Sequence, residues 1–256
     1  MFDFLRSILS DKKDGELFTL FSTWHFAFLA IFVITFVVLF FVLKNKSSEM
    51  RHKVLDAVVG VAFGLYMLDF FLMPFAYGAI EIEKLPFHSC TLTCLLCFLS
   101  RHSKALKPYK KSFTIIGFIS NLSYTVVPAG VMWSAVTPLS YRCLQTILFH
   151  GVMTIYGMLA LIYDADIKLQ WKKIYQELVV LCCMGVWAFV GNNLYSGTYP
   201  TYTAEYNWFF MRTDPFGILP QSVAPFVTIG FFFGCCAIIH AIYFGIKRLN
   251  KKRSEP

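Results

Sequence analysis

Charge is scarce in this chain. Asp, Glu, Lys and Arg make up 15% of its 256 residues, whereas 57% are hydrophobic and 28 are phenylalanine. A water-soluble domain has no interior large enough for that share of apolar surface, so the solvent for most of the chain is lipid. A Gly-rich phosphate loop, an internal repeat and a low-complexity stretch are also missing. The eight cysteines lie within or at the ends of apolar runs, which excludes the disulfide framework of a small secreted domain. No cleavable signal is expected, because the first long apolar run is followed by KNKSSE without a small-residue cleavage site. The net charge of +8 could suggest nucleic acid. Its grouping into a few loops instead fits a membrane protein with a basic cytoplasmic side, and no nucleic acid partner is expected.

What is present is a series of apolar runs near the length of about 20 residues that crosses about 30 Å of hydrocarbon. They lie near Trp24–Leu43, Val54–Tyr77, Leu85–Leu99, Phe113–Val131, Tyr141–Tyr163, Leu178–Leu194 and Val223–Phe244. Of the 23 Lys and Arg, 17 fall in the loops after the first, third and fifth runs and in the C-terminal tail. The positive-inside rule then puts the N-terminus outside and the KRLNKKR tail in the cytoplasm. The expected fold is an all-α, multi-pass protein of the cell membrane with seven transmembrane helices. Residues 1–22 would form an N-terminal interfacial segment or an unanchored tail, 23–246 the membrane domain, and 247–256 a basic cytoplasmic tail.

Polar residues inside a membrane are expensive and are functional candidates by default. At 1.5 Å per residue, Asp69 lies roughly 12 Å from the outer end of its run. Cys90 lies roughly 8 Å and His150 roughly 14 Å from the outer starts of theirs. Asn121 falls near mid-membrane, and Asn192 and Asn193 close the sixth run at the outer surface. Together they suggest a polar cavity open to the outside or to the outer leaflet.

The stretch LPFHSCTLTCLLC places Cys90, Cys94 and Cys97 on one helical face. His88 points to nearly the opposite side, and no second Cys/His cluster completes a tetrahedral set, so no metal is expected. Cysteine is a small, adaptable hydrophobe, and packing accounts for Cys94, Cys97, Cys143, Cys182, Cys183, Cys235 and Cys236. Cys90 differs because it stands in the first turns of a helix opened by Pro86, where the partial positive charge favours a thiolate. His150 is the histidine buried deep in another outer-half run, and a Cys–His pair makes an activated nucleophile. The plain alternative is a buried histidine bonded to a backbone carbonyl. The aromatic residues Trp133, Tyr195, Tyr199, Tyr202 and Trp208 fit an interfacial belt.

The segments LPFHSC, ISNLSYTVVPAGV, LQTILFHGVMTIYG and GNNLYSGTY…DPFGILP occur in an order that resembles the YwaF-like family of integral membrane proteins. That family is related to the eukaryotic transmembrane protein 164, an ether-phospholipid acyltransferase. The likeness runs from about residue 50 to 240. It implies that Cys90 and His150 are catalytic in a lipid acyltransferase that works through an acyl-thioester. Asp69, His88, Asn121 and Asn193 are candidates for orienting the histidine or contacting substrate. The chemistry calls for no cofactor, and the outer depth of the pair points to membrane lipids as acyl donor and acceptor. A small transporter or ligand-binding protein using the outer cavity is the alternative, although the chain lacks inverted repeats.

Overall fold

The computed structural model describes residues 9, 15–77, 82–133, 135–195, 206–212 and 218–254. Among the described residues every regular element is helical. The helices are α1 (Thr23–Lys44), α2 (Ser48–Tyr77), α3 (Ser89–His102), α4 (Lys110–Val126), the short α5 (Ala129–Trp133), α6 (Tyr141–Tyr163), α7 (Tyr175–Leu194) and α8 (Ala224–Ser254). Single 3₁₀ turns at Ile82–Lys84 and Trp208–Phe210 flank the outer-half residues singled out above. The expected interfacial segment falls mostly outside the described residues.

Among the described residues, six helices are long and apolar enough to cross a membrane: Thr23–Lys44, Ser48–Leu72, Lys107–Met132, Tyr141–Tyr163, Trp171–Leu194 and Ala224–Leu249. Their outward faces carry Phe26, Val33, Ile34, Phe41, Phe71, Val186, Phe226 and Phe231, all exposed as lipid-facing side chains are. The third expected span differs. α3 has 14 residues, or about 21 Å, against about 30 Å of hydrocarbon. Its start is recessed. The Tyr66 hydroxyl donates to the Lys84 carbonyl at 2.9 Å, and the Lys84 ammonium pairs with Asp69 at 3.2 Å. Asp69 lies about 12 Å short of the Tyr77 end of α2. The non-helical approach to α3 is held by α7, where Trp187 Nε1–H donates to the Pro86 carbonyl at 2.9 Å. A backbone carbonyl at this depth requires such a partner.

α6 is the central helix and packs against α1, α2 and α4. Small residues set the close approaches. A Cβ on Gly157 would stand 2.6 Å from Phe118 Cβ, and one on Gly191 2.4 Å from the Phe87 ring. The fourth expected run continues to Val131, but α4 stops at Val126. Pro128 disfavours helical geometry at Val127, which takes φ −129° and ψ 85°. α8 runs on to Ser254, so the expected separate tail 247–256 is largely a continuation of that helix.

The ends of the helices that carry most of the Lys and Arg form a buried ionic network. Arg101 bonds Asp56, and its Nη1 donates to Asp164 Oδ2 at 2.6 Å. Lys110 reaches Asp164 at 2.7 Å and Asp166 at 3.3 Å. Lys111 pairs with Glu177 at 2.9 Å, and His240 lies 3.5 Å from the same carboxylate. His52, Asp164 and Asp166 place ligand atoms within 4.8 Å of one another. Arg101 and Lys110 already supply the positive charge there. Burial raises the Asp164 carboxyl, but Lys110 and Arg101 outweigh it and hold the group below the usual carboxylate range.

Candidate functional site

The recessed start of α3 determines the surroundings of Cys90. His88 is the N-cap, with extended backbone and no side-chain capping bond. The first helical bond is Leu92 N–H to the His88 carbonyl at 2.9 Å. The preceding amides therefore have no helical acceptor. Those of Cys90 and Thr91 lie against the Cys90 sulfur. Thr93 Oγ1 donates back to the carbonyls of Ser89 at 2.5 Å and Cys90 at 3.1 Å, which stiffens this turn. Cys90 is half-buried, whereas Cys94, Cys97, Cys143 and Cys236 are fully buried in the core. Cys182 and Cys183 are exposed on α7.

His150 sits on α6 with its tautomer fixed. Its Nδ1 is 2.7 Å from the Thr146 carbonyl. A carbonyl only accepts, so Nδ1 carries the hydrogen and Nε2 holds a lone pair. That Nε2 is buried and has no hydrogen-bond partner among the described residues. The imidazole is stacked on Tyr124, with ring centroids 3.8 Å apart and planes at 14°. Phe149 meets it edge-on at 4.9 Å. Tyr124 in turn lies within electrostatic reach of Cys90, and His150 within that of Lys84 and His88. Tyr124 is thus in ring contact with the expected base and within electrostatic reach of the expected nucleophile.

A small cavity of about 10 Å³ opens beside the stack between α1, α4 and α6. It is lined by His25, Tyr124, Thr125 and His150 among others and has room for about one water. His25 is nearly fully buried. Its Nδ1 accepts the Phe21 N–H at 3.1 Å, so Nε2–H donates to the Thr125 carbonyl at 3.3 Å.

The other candidates are distributed around this centre. Asp69 is buried and holds Lys84 at 3.2 Å and the Tyr141 hydroxyl at 2.9 Å. The atom that orients His150 is the Thr146 carbonyl. Asn121 is fully buried and donates to the Gly117 carbonyl at 2.8 Å, leaving Oδ1 without a partner among the described residues. His88 meets Trp208 edge-on at 6.4 Å. Asn193 faces outward and donates to the Phe189 carbonyl at 2.7 Å. Its neighbour Asn192 faces inward, receiving Trp208 N–H at 2.9 Å and donating to the Trp208 carbonyl at 3.2 Å. Trp208 is completely buried, so it is no part of an interfacial belt. Both asparagines, with Arg212, Gln221 and Ser222, line an open hollow of about 580 Å³ between α7 and α8.

Tyr124, Lys84 and His25 had no role in the sequence expectations, and Asn192 appeared there only among the polar residues that close the sixth run. The lone basic residue of its loop was the available signal for Lys84. A tyrosine near a run end reads as a belt residue, and nothing in the sequence separates Tyr124 from the others.

Two comparisons, with curated proteins and with solved structures, return no match. A protein-family model, that of the TMEM164 family, matches residues 20–246, from just before α1 to the later turns of α8. It takes in Cys90, His150, Tyr124 and every polar group that surrounds them. The all-helical membrane architecture and the match along nearly the whole chain lead to one conclusion: the protein belongs to the TMEM164 family.

Proposed function

We propose that the protein is a membrane-embedded lipid acyltransferase with Cys90 as nucleophile and His150 as base. The observation that carries this reading is the state of His150, a neutral imidazole whose buried Nε2 lone pair has no hydrogen-bond partner among the described residues. It shares one aromatic neighbour with a cysteine at a helix start. A buried basic nitrogen without a partner costs stability, and retention for proton transfer explains it.

The steps balance as follows. His150 Nε2 takes the thiol proton as Cys90 sulfur bonds to an ester carbonyl carbon, and the carbonyl π pair moves onto oxygen. The amide N–H groups of Cys90 and Thr91, which have no helical acceptor, are the donors this reading offers to the oxyanion. Collapse breaks the ester C–O bond, and the leaving alkoxide takes the proton from His150 to give a lysolipid. An acceptor alcohol then gives its proton to His150 and attacks the thioester. The C–S bond breaks, and the thiolate recovers its proton.

The lipid substrates follow from sidedness. The seven-pass arrangement, N-terminus out and C-terminus in, is supported by the 17 of 23 basic residues at one side. Cys90 and His150 then lie toward the outer leaflet of the cell membrane. A phospholipid presents ester carbonyls at that depth, whereas acyl-CoA would have to carry its charged head group across the hydrocarbon. The reaction is therefore a CoA-independent transacylation from one membrane lipid to a lysolipid or similar alcohol. Purified protein in liposomes of defined phospholipid is expected to transfer a labelled chain to a lysolipid with no CoA present. Strict dependence on added acyl-CoA contradicts the reading. The open hollow beside Arg212 favours a second reading, an outward-facing ligand-binding or transport protein, which forms no acyl adduct on Cys90.

A further inference from the structure

We propose that Tyr124 is a catalytic hydrogen-bond donor of this site, its hydroxyl directed at the acyl oxygen that becomes negative when Cys90 attacks. The proposal rests on the acyl-transfer reading above. Tyr124 stands in the last turn of α4, where Pro128 ends the helix and turns the chain back across the tyrosine. The hydroxyl oxygen accepts the Val131 N–H at 3.1 Å, a donor shared with the Pro128 carbonyl at 3.1 Å. A Cβ on Gly130 would come within 2.6 Å of the same oxygen, so a side chain at that position would push the hydroxyl from its seat. With an N–H donor on its oxygen, the phenol must aim its own hydrogen elsewhere, and that donor polarises the O–H for donation.

Cys90 and Glu83 are within electrostatic reach of the tyrosine, and His150 is stacked against its ring at 3.8 Å. Here the hydroxyl is clamped at one end and the ring aligned with the base, so the donor position is fixed before substrate arrives. Together with the amides of Cys90 and Thr91 it completes a set of donors around one developing charge. No proton leaves the phenol. It strengthens a hydrogen bond as the carbonyl π pair moves onto oxygen, and relaxes it when the C–O bond breaks.

The test compares the wild type, Tyr124→Phe and Cys90→Ala in liposomes with a labelled phospholipid donor and a lysolipid acceptor. It reads kcat, KM, the rate of thioester formation and the thermal unfolding midpoint. Tyr124→Phe keeps the stacked ring, so the expected result is an unchanged KM and midpoint with kcat and thioester formation reduced about 100-fold. A change confined to KM or the midpoint overturns the proposal. Wild-type kcat in Tyr124→Phe with an inactive Cys90→Ala overturns the Tyr124 role and leaves the nucleophile standing. Activity in Cys90→Ala overturns both. If Tyr124→Phe does not fold, Tyr124→3-fluorotyrosine keeps ring and hydroxyl and makes the phenol a stronger acid. A donor role then alters kcat and its pH profile, and a wild-type profile overturns it.

Discussion

At the scale of single residues, reactivity depends on which atoms already have partners. Thr146 fixes the His150 tautomer through its backbone carbonyl, so no side-chain mutation removes the orienting bond. His150→Ala and Cys90→Ala are expected to abolish transfer while expression and unfolding midpoint stay near wild type. Cys94→Ala and Cys97→Ala each remove a small buried group, with a stability loss of about 1 kcal/mol and near-normal activity. Transfer assays on the four purified variants check this, and wild-type turnover in Cys90→Ala would remove the mechanism. Cys90 and His150 could be singled out in the sequence because each sets a reactive group within an apolar run. Asn192 and Asn193 were not separable, since one step along a helix turns a side chain by about 100° and only the packed neighbours say which faces inward. Tyr124 was hidden for a related reason: its role depends on a turn after Pro128 that an apolar run does not reveal.

At the scale of elements, α3 explains why one expected span has an unusual shape. Its start is tied to mid-α2 through Lys84 and Tyr66, and its end to Asp56 and Asp164 through Arg101. The hydropathy of Leu85–Leu99 marked an apolar helix, Ser89–His102, which is not among the six long enough to cross, and run length alone could not show where that helix begins. Arg101 and Asp164 have almost no side-chain exposure. Arg101→Ala leaves that carboxylate with one cation fewer and should cost about 3–5 kcal/mol, measured by chemical unfolding in detergent. An unchanged midpoint would mean that the network does not hold α3. The pH dependence has a definite sign. The Asp164 and Asp166 carboxyls are held below their ordinary value of 3.8, against burial, chiefly by lysine partners. Their contribution is complete above that value and is lost as pH falls through the lower folded values. The unfolding midpoint should therefore owe no loss to these groups between about pH 5 and 7 and should drop below about pH 4. A loss of this network's contribution near neutrality would contradict the assignment.

At the scale of the whole molecule, the asymmetry of charge and the position of the site make one statement about sidedness. Basic residues cluster where Arg101, Lys110 and Lys111 are buried in ion pairs, and the Cys90–His150 region lies toward the opposite ends of the helices. Gln221→Cys is expected to react with an impermeant maleimide on intact cells, and Lys172→Cys to react only after lysis. The reverse pattern would place the site toward the cytoplasm and reopen acyl-CoA as donor. The most direct measurement addresses the acyl-enzyme itself. Protein incubated with phospholipid and no acceptor is digested and examined by mass spectrometry across the peptide that contains Cys90. The account predicts the mass of one acyl chain on Cys90, released by neutral hydroxylamine or by added lysolipid and absent from His150→Ala. Transfer that proceeds at full rate while Cys90 never carries the chain would contradict it.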